Sequence, residues 1–309
     1  MKENKKEKNF HFKGERTRST LIILVGLIVY LLSLHLNIKI AYTVITAAIS
    51  AMATFELERA MGVKNKILHA IACTVSVLFV FGRAYSAVTV KILNEPSVAF
   101  IAVLLAFYVI FLLCFAVVCN KTVKYTDAAA AFFASLAIPY SLSTFIALNE
   151  AILDDRSTHL EGLFLIWLAF SCSWVTDSFA FLVGRKIGKH KMAPVISPKK
   201  SVEGAVFGIL LTAAANVLIL FGYSLVASKM GYDHFLSYSN MKYLQIIPVS
   251  ILLSIVSIFG DLAASVLKRN VGIKDFSNIL PGHGGIMDRF DSCLFVLPVL
   301  WGICLLWTK

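Results

Sequence analysis

Charge is scarce in this chain. Only 15% of its 309 residues are Asp, Glu, Lys or Arg, against roughly 25% in an average soluble domain. That scarcity argues against a soluble globular protein, and a hydrophobic content of 58% excludes a disordered one. The catalytic signatures of soluble nucleotide-binding and hydrolase folds are missing too: there is no GxxxxGKS or GxxxxGKT loop, no HExxH, no GxSxG and no GxGxxG. Six cysteines show no CxxC spacing, which excludes a zinc site or disulfide framework of the familiar kind. Acidic residues are the rarer charge, 18 against 29 Lys and Arg.

What the chain has instead is long apolar runs, and its mean hydropathy is +0.79. Runs of about 17 to 25 apolar residues are long enough to span hydrocarbon. They predict an all-α polytopic membrane protein of about nine transmembrane helices, at 20–37, 39–55, 67–90, 97–119, 126–149, 160–183, 204–227, 243–267 and 292–307. Arg83 interrupts the third. No small-residue cleavage site follows the first run, so it is expected to stay as a span. The organisation expected is a basic tail at 1–19, N-terminal transmembrane helices over 20–159, and a C-terminal catalytic transmembrane region over 160–309.

Most of the Lys and Arg residues fall in five segments, 1–19, 56–66, 120–125, 184–203 and 268–291. These alternate along the spans on one side, which by the positive-inside tendency is the cytoplasm and places the N-terminus there. The net charge of +11 then belongs to a cytoplasmic surface that attracts anionic membrane lipids. No nucleic-acid partner is expected. The tail MKENKKEKNFHFKGERTRS reads as a disordered basic arm.

Two cytoplasmic loops stand apart, GRKIGKHKMAPVISPKKSVE at 184–203 and KRNVGIKDFSNILPGHGGIMDRFD at 268–291. Each follows a span with an aspartate inside its apolar run, Asp177 and Asp261. Each aspartate lies six residues before the end of its run, roughly 9 Å below the cytoplasmic end of the helix. Equal depth predicts two halves of one polar cavity open to the cytoplasm. Asp261, Ser265 and Lys268 share one helix face, and Ser173 pairs with Asp177 in the same way. Further on, Asp288 and Asp291 are three apart at the start of the last helix, a spacing that suits a cation and also suits a simple helix cap. The GHGG before them offers backbone N–H groups to an oxyanion, or simply a turn.

Taken together, the residues describe a site for a phosphorylated ligand with a metal. Asp177, Asp261, Asp288 and Asp291 supply hard oxygens suited to Mg²⁺, and Lys199, Lys200, Lys268, Arg269, Lys274 and Arg289 supply partners for anions. Ser197, Ser201 and Ser265 can donate to phosphate oxygens. His283 reads equally as a phosphate contact or as a loop residue satisfied by backbone.

The run from Ser265 to Asp291 resembles the signature of the phosphatidate cytidylyltransferase (CDP-diacylglycerol synthase) family: S-x-x-K-R, four residues, K-D, then P-x-H-G-G-x-x-D-R-x-D. Upstream, G-K-H-K, S-P-K-K and the pair Glu203-Gly204 resemble a second family segment. The match covers roughly residues 173–291. Two departures are Ala264, where many members carry a glutamate, and Phe276, where many carry a small residue.

The resemblance implies the reaction of CTP with phosphatidate to give CDP-diacylglycerol and pyrophosphate, in a bacterial cell membrane with the active site facing the cytoplasm. Both substrates are anions, so catalysis is expected to be stabilisation by metal and cations with in-line positioning. The resemblance implies Asp261 and Asp288 as the first metal ligands, with Asp291 and Asp177 next, and Lys268 and Arg269 at the reacting phosphates. Whether one or two cations act is open, and family analogy points to a homodimer. Two other readings remain open, a CTP-dependent kinase of a polyprenol or other membrane alcohol and an ion-coupled transporter.

Overall fold

The computed structural model describes residues 2–85, 97–150, 158–229 and 243–307. Its helices are α1 (Lys2–His35), α2 (Lys39–Ala60), α3 (Lys66–Ala84), α4 (Ser97–Val118), α5 (Tyr125–Glu150), α6 (Thr158–Phe170), α7 (Thr176–Ile187), α8 (Val202–Lys229), α9 (Tyr243–Asn270), α10 (Met287–Phe290) and α11 (Cys293–Trp307). One hairpin, β1 (Lys191–Ala193) and β2 (Ser197–Ser201), lies between α7 and α8. Seven segments are long and apolar enough to cross a membrane, and Leu104–Val118 and Cys293–Leu306 are shorter apolar helices. Each coincides with a run read from the sequence, and the chain is an all-α integral membrane protein.

Two boundaries differ from expectation. Helix α1 begins at Lys2, so the basic arm expected to be disordered is helical: its Lys and Glu are good helix formers, and the apolar run continuous with it supplies the nucleus. The third span ends at Ala84, one residue after Arg83. Residues 86–90, which the sequence places in that span, lie outside the described residues.

Chain contacts divide the molecule into two compact units, Met1–Ser143 with Ile273–Arg289, and Thr144–Gly272 with Phe290–Lys309. In the first, α2 and α3 form a helical hairpin. Gly62 at φ +90° and the bond from the Val63 N–H to the Glu58 carbonyl, 3.1 Å, close α2 as a Schellman turn. Asn65 then caps α3 by accepting from the N–H groups of Ile67 and Leu68 at 2.9 and 3.1 Å. A core of Val63, Leu68, Ala72, Leu112, Val123 and Ala131 links α3 to α4 and α5. Lipid is as apolar as this core, so helix association depends on close packing and interhelical hydrogen bonds. Ser50 with Ser76 at 2.7 Å and Tyr108 with Ser135 at 2.9 Å are of that kind.

The second unit is held by buried polar layers. The Thr176 hydroxyl lies 3.1 Å from that of Thr212 and 2.9 Å from that of Ser254. One turn away, the Asn216 amide donates to the Ser250 hydroxyl at 2.9 Å and to the Cys172 sulfur at 3.3 Å. The pairs 172/176, 212/216 and 250/254 are each four apart, so two layers stack on single helix faces. A π-helical turn, Ser171–Val175, joins α6 to α7. Such a turn shifts the register of the helix beyond it, and Asp177 is the second residue of that helix.

Candidate active site

The loop expected at 184–203 is an ordered hairpin. Pro194 fixes φ at its turn, and the strands pair Lys191 with Ser201 and Ala193 with Ser197, with a shift of register between. Ser201 accepts from the Gly204 N–H at 3.2 Å and so caps α8. Glu203 accepts from the N–H groups of Lys189 and His190, each at 3.1 Å, and from His190 Nδ1 at 2.5 Å. Three glycines leave room for the cap: a Cβ on Gly184, Gly188 or Gly204 would lie 2.6, 2.4 or 2.9 Å from the Ser201 hydroxyl. The glycines and serine of the matched segment therefore build the hairpin base.

Its geometry separates two neighbouring lysines. Lys199 is exposed, whereas Lys200 is mostly covered. The Lys200 ammonium is ion-paired with Asp261 of α9 and lies 3.4 Å from Asp177 of α7. Asp177 also accepts from the Ser292 hydroxyl at 3.1 Å. Ser292 follows Asp291, whose other partner is Lys268 at 3.8 Å. Asp177, Asp261, Asp291, Lys200 and Lys268 thus form one cluster in the second unit. Burial, then the Asp261 charge, push the Asp291 carboxyl up to about 7, with Lys268 pulling it down. For Lys200 burial works against the charge, but Asp177 and Asp261 outweigh it and raise its pKa.

Four further residues are close to these in sequence. Arg269 donates from Nε to the Ile196 carbonyl at 3.4 Å, tying the end of α9 to the hairpin turn. Ser197 and Ser265 are half-buried. Ala264 is only 6% exposed, so a packed methyl group stands where the resemblance led one to expect a carboxylate.

The remaining predicted residues, Lys274, His283, Asp288 and Arg289, belong to the first unit. Lys274 and Arg289 are exposed. His283 Nε2 lies 3.4 Å from the Thr20 hydroxyl, and its Nδ1 is buried without a hydrogen-bond partner among the described residues. Asp288 Oδ2 accepts from the N–H groups of Phe276 at 2.8 Å and Gly285 at 2.9 Å. It closes the loop on itself.

A residue outside every motif completes this loop. Glu56 of α2 is 1% exposed and accepts from the Ser277 hydroxyl at 2.5 Å, the Ile286 N–H at 3.1 Å and the Met287 N–H at 2.7 Å. The successive N–H groups of residues 285–287 therefore do turn onto anions, as a glycine nest would, but the anions are Asp288 and Glu56. The only signal in the sequence is a pair of glutamates, Glu56 and Glu58, at the end of an apolar run.

The sequence of this chain matches the model of a cytidylyltransferase family over residues 14–307. It is 33% identical over 282 residues to the phosphatidate cytidylyltransferase of Bacillus subtilis (strain 168), covering 90% of this chain and 95% of that one. Identity to the phosphatidate cytidylyltransferase of Staphylococcus saprophyticus is 39% over 189 residues, 61% and 64% of the two chains. For that of Staphylococcus haemolyticus it is 42% over 144 residues, 47% and 50%. The cluster of acids and lysines in the second unit has the chemistry such a family needs, and agreement over nearly the whole chain shows that this protein belongs to the cytidylyltransferase family.

Proposed function

We propose that this chain is a phosphatidate cytidylyltransferase, joining the cytidylyl group of CTP to phosphatidate and releasing pyrophosphate. The observation that carries the reading is similarity at 33% identity over 95% of the Bacillus subtilis enzyme. In the reaction a phosphatidate oxygen forms a bond to the α-phosphorus of CTP, and the bond from that phosphorus to the bridging oxygen breaks. No protein nucleophile is needed.

A divalent cation fits the donor set of the second unit. Three carboxylates, Asp177, Asp261 and Asp291, offer hard oxygens, and an ammonium, Lys200, already stands between two of them. Among the described residues no three acidic, His or Cys side chains are arranged to hold a metal ion, and the proposal has Lys200, which stands between Asp177 and Asp261, give up that place when the cation loads. We assign Asp261, Asp177 and Asp291 to Mg²⁺, which when bound would neutralise phosphate charge and polarise the phosphoryl group. Lys200 and Lys268 then face the triphosphate as charge partners, with Arg269 holding the hairpin beside them. Ser197, Lys199, Ser265, Lys274, His283 and Arg289 are assigned to substrate phosphates.

The distribution of Lys and Arg supports a cytoplasmic site, where CTP is found and where the phosphatidate headgroup lies in the adjacent leaflet. A homodimer is part of the proposal by family analogy. The test is pyrophosphate release by detergent-purified protein given CTP, Mg²⁺ and phosphatidate. Release that needs all three supports the reading; CDP formation with a polyprenol, in place of pyrophosphate, overturns it in favour of a lipid kinase.

A further inference from the structure

We propose that Glu56, outside every matched motif, is a positioning residue for CTP, acting by fixing the loop 276–287 that carries His283. The inference rests on the cytidylyltransferase reading. Its basis is the convergence of three donors on one buried carboxylate: Oε1 takes the Ser277 hydroxyl and the Ile286 N–H, and Oε2 takes the Met287 N–H. The donors come from both ends of the loop. Glu56 therefore sets the distance between its entry at Ser277 and its exit at Met287.

At Gly284 and Gly285 the loop leaves no room for a side chain beside these carboxylates. A Cβ at Gly285 would lie 2.4 Å from Glu56 Oε2. Gly284 has φ +80°, a conformation in which an L side chain is strained, and its Cβ would lie 2.8 Å from Asp288 Oδ2. Two glycines thus let the chain pass between two carboxylates, one from α2 and one from the loop's own end. Glu56 ties the loop to a transmembrane helix through its three hydrogen bonds. Since the N–H groups of residues 285–287 are taken by Asp288 and Glu56, the loop's side chains are the groups proposed to meet the nucleotide. Their position depends on Glu56.

A carboxylate suits this place and a carboxamide does not. Glutamine has one acceptor oxygen, and its NH₂ would face another N–H donor. Aspartate is shorter by one methylene and cannot span the same donors from the same backbone position. The experiment compares wild type with Glu56→Gln, Glu56→Asp and Ser277→Ala in detergent, measuring KM for CTP, kcat and the melting temperature. We expect Glu56→Gln and Glu56→Asp to raise the CTP KM at least tenfold while kcat falls less than threefold. Ser277→Ala should raise KM about threefold.

Unchanged KM in a folded Glu56→Gln protein overturns the proposal. So does a lower melting temperature with wild-type kinetic constants in the folded fraction, which would make Glu56 a residue of the fold alone. If the Glu56 variants do not fold, Gly285→Ala presses on the same carboxylate from the loop side, and a wild-type KM there overturns the proposal equally. A wild-type protein without CTP-dependent pyrophosphate release would instead remove the underlying reading, and the proposal with it.

Discussion

Lys200 of the β-hairpin is ion-paired with Asp261 in the middle of the cluster on α9. Asp261 lies within an apolar helix and Lys200 lies on a strand outside it, so the pair fastens an extramembrane element to a charge set among transmembrane helices. Asp177 shares the same ammonium at 3.4 Å. A single lysine therefore balances two carboxylates that would otherwise repel each other.

Removing that ammonium should separate metal binding from turnover. Lys200→Met is expected to lower kcat at least ~100-fold, the scale of losing one group that stabilises developing charge. The same variant should bind Mn²⁺ at least about tenfold more tightly without nucleotide, because a competing positive charge has left the carboxylates. Electron paramagnetic resonance titration of Mn²⁺ measures the second effect. Weaker or equal binding would contradict the place given to Lys200.

Chelation should abolish pyrophosphate release, and Mg²⁺ should restore it. Mn²⁺ should substitute, since it also accepts carboxylate and phosphate oxygens. Full activity in EDTA would remove the metal from the account.

The hairpin base should be intolerant of a single methyl group. Gly188→Ala places a Cβ 2.3 Å from the Gly184 carbonyl and 2.4 Å from the Ser201 hydroxyl, an overpacking worth about 1–3 kcal/mol. Ser201→Ala removes only the cap, about 1 kcal/mol. Thermal unfolding in detergent should rank Gly188→Ala below Ser201→Ala, and the reverse order would mean that the cap outweighs the packing.

Asn216→Leu tests the buried polar layers. It deletes the bonds to Ser250 and Cys172 without reaching the acidic cluster. Stability should fall by about 0.6–1.7 kcal/mol, the range for hydrogen bonds between membrane helices. Turnover by the folded fraction should stay within twofold of wild type.

Much of this was legible in the sequence for definable reasons. Apolar run length is set by bilayer thickness, so the spans could be read directly. Asp177 and Asp261 could be matched because helix rise converts sequence spacing to depth, and their shared contact with Lys200 agrees with that. The hairpin was hidden because GRKIGKHKMAPVISPKK contains few apolar or β-branched residues to mark a strand. The π turn before Asp177 has no distinct composition. Glu56 was invisible for a stronger reason: its partners lie more than two hundred residues away, and no periodicity connects α2 to the glycine-rich loop. Loop closure, which the structure shows for Asp288, and metal ligation, which the sequence led one to expect, both suit an aspartate at a helix start, so spacing alone did not separate them.

The central claim is that the nucleotide's α-phosphate ends in the lipid and that this transfer depends on the acidic cluster. The measurement that tests it most directly traces radiolabel from α-labelled and γ-labelled CTP into phosphatidate-containing micelles, with wild type and Asp261→Asn. The account predicts that only the α-label enters the lipid fraction, and that Asp261→Asn lowers its entry at least ~100-fold. Entry of the γ-label, or undiminished entry of the α-label with Asp261→Asn, would contradict it.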